Sequence, residues 1–195
     1  MEYSNVLSEK KTAWAIVLLY ITLIFMLLGD VVPIVNFATK KLGNNFNQIM
    51  SISPYIFFSG FFVYVTAIKK ERRLSQYTYY VLILIAFFLV IKWFVRYPVE
   101  YIHLIEYSIF GALFFWTMSI YGLPLLASYT ITVFVTLLVG GADEIVQAFI
   151  PTRFFDLRDL LLNFVSGILG AAVCAGFVQD ANRGDDEEAQ ELENR

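Results

Sequence analysis

Between Thr12 and Val178 the chain is a succession of long apolar runs, broken only by short polar or basic stretches. A run of roughly 20 mostly apolar residues matches the hydrocarbon core of a bilayer, with a usable range of about 17 to 25. The overall balance agrees: 58% of residues are hydrophobic, only 16% are charged, and the mean hydropathy is +0.66. Soluble domains carry about a quarter charged residues, which leaves a very greasy soluble bundle as the weaker alternative. The expectation is an all-α membrane protein, a polytopic bundle of about six transmembrane helices.

The predicted spans run over Thr12–Leu28, Pro54–Ile68, Tyr77–Val95, Val99–Met118, Pro124–Phe149 and Leu157–Val178. Lysine and arginine in short loops set orientation, with the richer side cytoplasmic. The densest cluster is Lys69, Lys70, Arg72 and Arg73, and Lys10 and Lys11 precede the first span on the same side. The opposite side holds Lys40, Lys41, Arg96, Arg153 and Arg158. This bias predicts both termini on the cytoplasmic side. Residues 1–12 then form a cytoplasmic N-terminus, 13–178 the transmembrane domain, and 179–195 a cytoplasmic tail.

The net charge of −3 is concentrated in that tail. From Asp180 onward there are seven acids and two arginines, while the rest of the chain carries twelve basic and ten acidic residues. Like charge without aromatics predicts disorder, a solubilising end. No stretch combines basic and aromatic residues as a nucleic-acid surface does. The single Cys174 excludes an internal disulfide. Lys10 and Lys11 before an apolar run look like a signal peptide, but Gly29-Asp30-Val31-Val32-Pro33 offers no small-residue cleavage site, so an uncleaved first span is expected.

Against this background a few polar residues stand out. His103, Glu106 and Tyr107 lie in the fourth span, and Asp143, Glu144 and Gln147 near the end of the fifth. Arg153, Asp156, Arg158, Asp159 and Asn163 follow at the start of the sixth. Ionisable groups in a membrane are expensive, and their default reading is functional with a partner nearby. With Arg96 at the end of span three, all of them map to one level, near the outer leaflet. His103, Glu106, Tyr107, Phe110 and Gly111 share one helix face. Glu106, one turn from the only histidine, would orient its imidazole as in general acid–base pairs; a lone membrane histidine can equally be a helix-to-helix hydrogen-bonder.

Asp143 and Glu144 are adjacent, so they point about 100° apart and need not share one site. They could lock helices by pairing with Arg153 or Arg158, or serve proton or ion translocation, although no acid chain continues to the inner side. Asp156, Asp159 and Asn163 form a stripe that Ser166, Gly167 and Gly170 continue inward, where small residues allow close helix approach. Arg153 and Arg158 could clamp phosphate or carboxylate bidentately or snorkel to headgroups. There is no G-x-S-x-G, P-loop or H-E-x-x-H motif. With one histidine a His-rich zinc site is not expected, and a divalent ion among Glu106, Asp143, Glu144 and Asp159 has no support from spacing. No metal or cofactor is expected.

Three pieces, in order on consecutive spans, resemble the VanZ-like membrane protein family: His103-Leu-Ile-Glu106-Tyr107-Ser-Ile-Phe110-Gly111, Asp143-Glu144-Ile-Val-Gln147-Ala-Phe-Ile-Pro151-Thr-Arg153, and Asp159-Leu-Leu-Leu-Asn163-Phe-Val-Ser-Gly167. The likeness covers roughly residues 60 to 178 and leaves out the first span, the segment from Asp30 to Ser53 and the acidic tail. It implies a bacterial integral membrane protein of the inner membrane with an envelope role; the founding member is associated with resistance to teicoplanin. It names a phenotype more than a reaction.

Three functions are compatible with these residues. The leading one is a pocket that binds an anionic lipid-linked or peptide-like ligand, with Arg153, Arg96 or Arg158 holding the anion, His103 and Glu106 supplying hydrogen bonds or proton transfer, and Tyr107, Asp143, Glu144, Gln147, Asp159 and Asn163 lining it. The second is an accessory subunit of a larger membrane complex, in which the polar set is an internal lock. The third is an enzyme acting on a lipid phosphate or ester with His103 as base and Glu106 beside it.

Overall fold

The computed structural model describes residues 2–64, 73–98, 100–151 and 153–193. Val65–Ile68 of the second predicted span and the basic residues Lys69, Lys70 and Arg72 lie outside them. The described residues form seven helices: α1 (Glu2–Leu27), α2 (Val31–Leu42), α3 (Asn44–Val63), α4 (Leu74–Phe94), α5 (Glu100–Ser119), α6 (Leu125–Gln147) and α7 (Leu157–Glu193). Five of them, α1 from Val6, α4, α5, α6 and α7 to Gln179, are long and apolar enough to cross a membrane. The chain is an all-α membrane bundle.

Helix α3 differs from the predicted second span. It starts ten residues before Pro54, which lies inside the helix instead of opening it. Proline is tolerated within membrane helices because neighbouring groups satisfy the freed carbonyl. α3 nonetheless runs the length of the bundle. Its first turns meet Arg96 and Tyr97 in a shared cleft. Its far end brings Tyr64 to Phe177 of α7, with ring centroids 6.0 Å apart.

The long helices alternate in direction. From the middle of α1, Trp14 donates to the Tyr121 hydroxyl at 2.9 Å; further along, Tyr20 donates to the backbone carbonyl of Glu106 at 3.0 Å. The C-terminal end of α1 therefore sits with the N-terminal end of α5. The C-terminal ends of α4 and α6 and the N-terminal ends of α3 and α7 gather there too.

The most buried span is α5, and its sequence explains why. On one side Tyr107, Phe110 and Phe114 pack against Val17 and Ile24 of α1. On another, Leu104 joins Phe87 of α4 and Leu162 of α7. Its closest neighbour is α7. A Cβ on Gly111 would fall on the Gly167 carbonyl, and one on Gly170 would fall on the Ser108 carbonyl. The small-residue stripe thus lets two backbones touch, as membrane helices without a hydrophobic driving force require. Tyr79 of α4 and Tyr129 of α6 donate to the carbonyls of Ala172 and Ile168 at 2.7 and 2.8 Å, fixing α7 from both sides.

The α7 backbone stays helical to Glu193. A helix already nucleated in the bundle extends one bond per residue without a new nucleus, and the Ala, Gln and Glu of this segment are good helix formers.

Candidate functional site

The turn between α4 and α5 is built by local chemistry. Pro98 lies in the turn just ahead of α5, where its missing N–H costs nothing. Two residues on, Glu100 folds its carboxylate back to accept the N–H of Tyr97 at 2.9 Å and that of Arg96. This is the reciprocal half of a capping box. The other carboxylate oxygen of Glu100 accepts from the Arg158 guanidinium. Glu100 is 1% exposed, while the Arg158 side chain still reaches the surface. Arg158 also lies 3.8 Å from Asp156 and 3.9 Å from Asp159.

Deeper in, Asp143 is fully buried on α6. It accepts from the Tyr107 hydroxyl of α5 at 2.9 Å and from Gln147 one turn along at 2.9 Å. Asn163 of α7 approaches the same carboxylate at 3.5 Å. Gly140 makes room for this meeting: a Cβ there would lie 3.3 Å from Asn163 and 3.5 Å from the Tyr107 ring. Asp143 thus ties three helices together.

His103 lies beside this knot. Its Nδ1 is 4.0 Å from Asp143 Oδ2, beyond hydrogen-bond distance. The side chain is buried, and neither ring nitrogen has a hydrogen-bond partner among the described residues. The carboxylate beside the imidazole is Asp143, not Glu106 as the spacing suggested. Glu106 is half-buried, and its carboxylate makes no hydrogen bond among the described residues. An i, i+3 spacing puts two side chains on one face but does not point them at each other; packing against α6 turned His103 inward.

Asp143 and Glu144 diverge, as adjacent helical positions must. Glu144 faces the α6–α7 connection, where one oxygen accepts the Asp156 N–H at 3.1 Å and the other has no partner among the described residues. Arg153, in that connection, is half-buried, and its Nε is likewise without a partner. It lies within Coulombic reach of His103, Glu106 and Asp159.

The predicted set therefore separates into three. His103, Glu106, Tyr107, Asp143, Gln147, Asn163 and Arg153 surround one buried polar centre. Arg158 and Asp159 belong to the neighbouring lock on Glu100, which engages the Arg158 Nη2 and leaves its Nη1 without a partner among the described residues. Arg96 lines an open cleft with Asn47, Gln48, Ser51, Tyr97 and Tyr101. Glu100 went unnoticed in the sequence, although Pro98 two residues before an acid at a span's start is a recognisable helix-opening signal. Among the described residues no three His, Cys, Asp or Glu side chains are grouped to hold a metal ion.

Residues 12–178 match the family model described as VanZ/LLP1. The chain belongs to the VanZ/LLP1 family. The match starts at Thr12 and so takes in α1 and the α2–α3 segment, which the resemblance over about 60 to 178 had left out. The structure supplies the reason: α1 packs directly on α5 through Tyr20 and its apolar face. No curated protein and no solved structure matches the chain.

Proposed function

We propose that the buried polar centre of this VanZ/LLP1 protein binds the anionic group of an envelope lipid, or of a lipid-linked or peptide-like ligand, at the outer leaflet of a bacterial inner membrane. One observation carries this reading. His103 and the Arg153 Nε are buried without a partner among the described residues, while neighbouring Asp143 is satisfied on both oxygens. An unpaired buried polar group costs about 1–3 kcal/mol, so such groups gathered in one place mark a position that a polar ligand completes. Arg153 supplies the cation, His103 a donor beside it, and Glu106 the half-buried acid at the entrance. A role in glycopeptide resistance is one form such binding takes.

The accessory-subunit reading has its own support in the Asp143 knot, which ties α5, α6 and α7 with no ligand. Gentle solubilisation of the native membrane followed by mass spectrometry separates the two. Under the ligand reading a specific lipid or cell-wall precursor stays bound and is lost in Arg153→Ala and in the double variant Glu106→Gln/Asp143→Asn. Stoichiometric protein subunits with no specific lipid, unchanged in Arg153→Ala, overturn it in favour of the accessory role.

A further inference from the structure

Helix α2 plays no part in the polar centre. It has 12 residues and none is buried. At 1.5 Å per residue it is about 18 Å long, too short to cross a hydrocarbon core of about 30 Å. Its helical neighbour is α3. Ile34, Phe37 and Leu42, exposed by 57, 66 and 47%, fall on one side. Asn36, Thr39 and Lys40 fall on the other. Lys41 falls on the apolar side, between Phe37 and Ile34, its ammonium 5.5 Å above the Phe37 ring, the posture of a lysine whose stem covers apolar surface while its charge reaches out.

The chain around α2 fixes where this helix can be. α1 ends at Leu27, with three residues between it and the start of α2. After Leu42, Gly43 takes a φ of 57° and turns the chain straight into α3. Both ends are thus tethered to helices of the membrane bundle; on the apolar side Val31, Val35 and Ala38 are half-buried, while Ile34, Phe37 and Leu42 are exposed. The contacts of Tyr20 with α5 put the C-terminal end of α1, and with it α2, on the membrane face that holds the polar centre.

We infer that α2 lies in the headgroup plane of that face, with its apolar side at the acyl boundary and Lys40 and Lys41 holding anionic phospholipid headgroups. The length, the exposed apolar side and the two lysines of the last turn are the marks of an interfacial helix. Its two cations enrich anionic lipid next to the polar centre, whatever that centre binds.

The test uses the full chain with Cys174→Ala in nanodiscs of phosphatidylcholine, with and without phosphatidylglycerol. Single cysteines Ile34→Cys and Asn36→Cys carry a nitroxide. The Ile34 label should relax with oxygen and be shielded from an aqueous nickel chelate; the Asn36 label should do the reverse. An Ile34 label shielded from both reagents means that protein, such as a second copy, covers the face, and a water-exposed one means that α2 leaves the membrane. Either result overturns the inference. A lysine near an anionic surface counts roughly fivefold, so Lys40→Gln/Lys41→Gln should lower the phosphatidylglycerol enrichment of the retained lipid by roughly tenfold or more. Unchanged enrichment overturns the anionic-lipid assignment.

Discussion

The ion pair between Glu100 and Arg158 is the sharpest place to test how this bundle is held together. Glu100 is 1% exposed and accepts from the Arg158 guanidinium and from two backbone N–H groups. Removing one partner of a buried pair costs about 3–5 kcal/mol, because the survivor is left charged in a low-dielectric site. The Arg158 side chain is 21% exposed, which moves Arg158→Met to about 3 kcal/mol, at the lower end of that range. Glu100→Gln keeps an oxygen for the backbone donors but strands the guanidinium, which still reaches water; a loss of about 2 kcal/mol is expected. In the double variant no charge is stranded. Its loss should fall short of the sum by about 1–2 kcal/mol, well outside the 0.3–0.5 kcal/mol within which independent sites add. Reversible unfolding in mixed micelles, titrated with a denaturing detergent, gives all four corners of the cycle. Additive losses would refute the lock. So would an Arg158→Met protein of unchanged stability that had lost a bound lipid, since Arg158 would then be a ligand for the anion.

Three other outcomes follow from the geometry. Gly170→Ala, whose Cβ would strike the Ser108 carbonyl, should cost about 1–3 kcal/mol; Gly141→Ala, with open space around it, should be neutral or stabilising by up to about 1 kcal/mol, and equal effects in the same unfolding assay would count against the α5–α7 backbone contact. Tyr107→Phe removes a donor to Asp143 and should destabilise by about 0.6–1.7 kcal/mol, the range of hydrogen bonds between membrane helices; no measurable loss would mean that Asp143 does not depend on it. With Cys174→Ala, Thr152→Cys between α6 and α7 should react with a membrane-impermeant reagent in intact cells, and labelling only after lysis would place the polar centre on the cytoplasmic face.

Several features were legible in the sequence because they depend on residues close along the chain. The apolar runs mark α1, α4, α5, α6 and α7 through their length alone, since a bilayer demands about 20 apolar residues wherever they sit. The shared face of His103 and Tyr107 follows from 3.6 residues per turn, as does the divergence of Asp143 from Glu144. The small residues Gly111, Gly167 and Gly170 announced a close crossing. Helix α3 was harder to read, because Pro54 carries one meaning at a helix start and another inside a membrane helix, and only neighbouring helices decide between them.

Partner choice belonged to the tertiary structure. The sequence put His103 beside Glu106, but the packing of α5 on α6 brought Asp143 to the imidazole instead. It offered Arg153 and Arg158 as equals, but Glu100, 58 residues from Arg158, captured it, and the Arg153 Nε has no partner among the described residues. Helical periodicity fixes the direction of a side chain around its own axis and says nothing of which side chain of another helix will stand opposite. That is set by the angle and depth at which helices cross, here by the contact of α5 with α7 at Gly111 and Gly170. The sequence determined a multi-helix membrane protein with its polar groups at one level; the crossing of its helices decided which of those groups are locked to one another and which are left without a partner among the described residues.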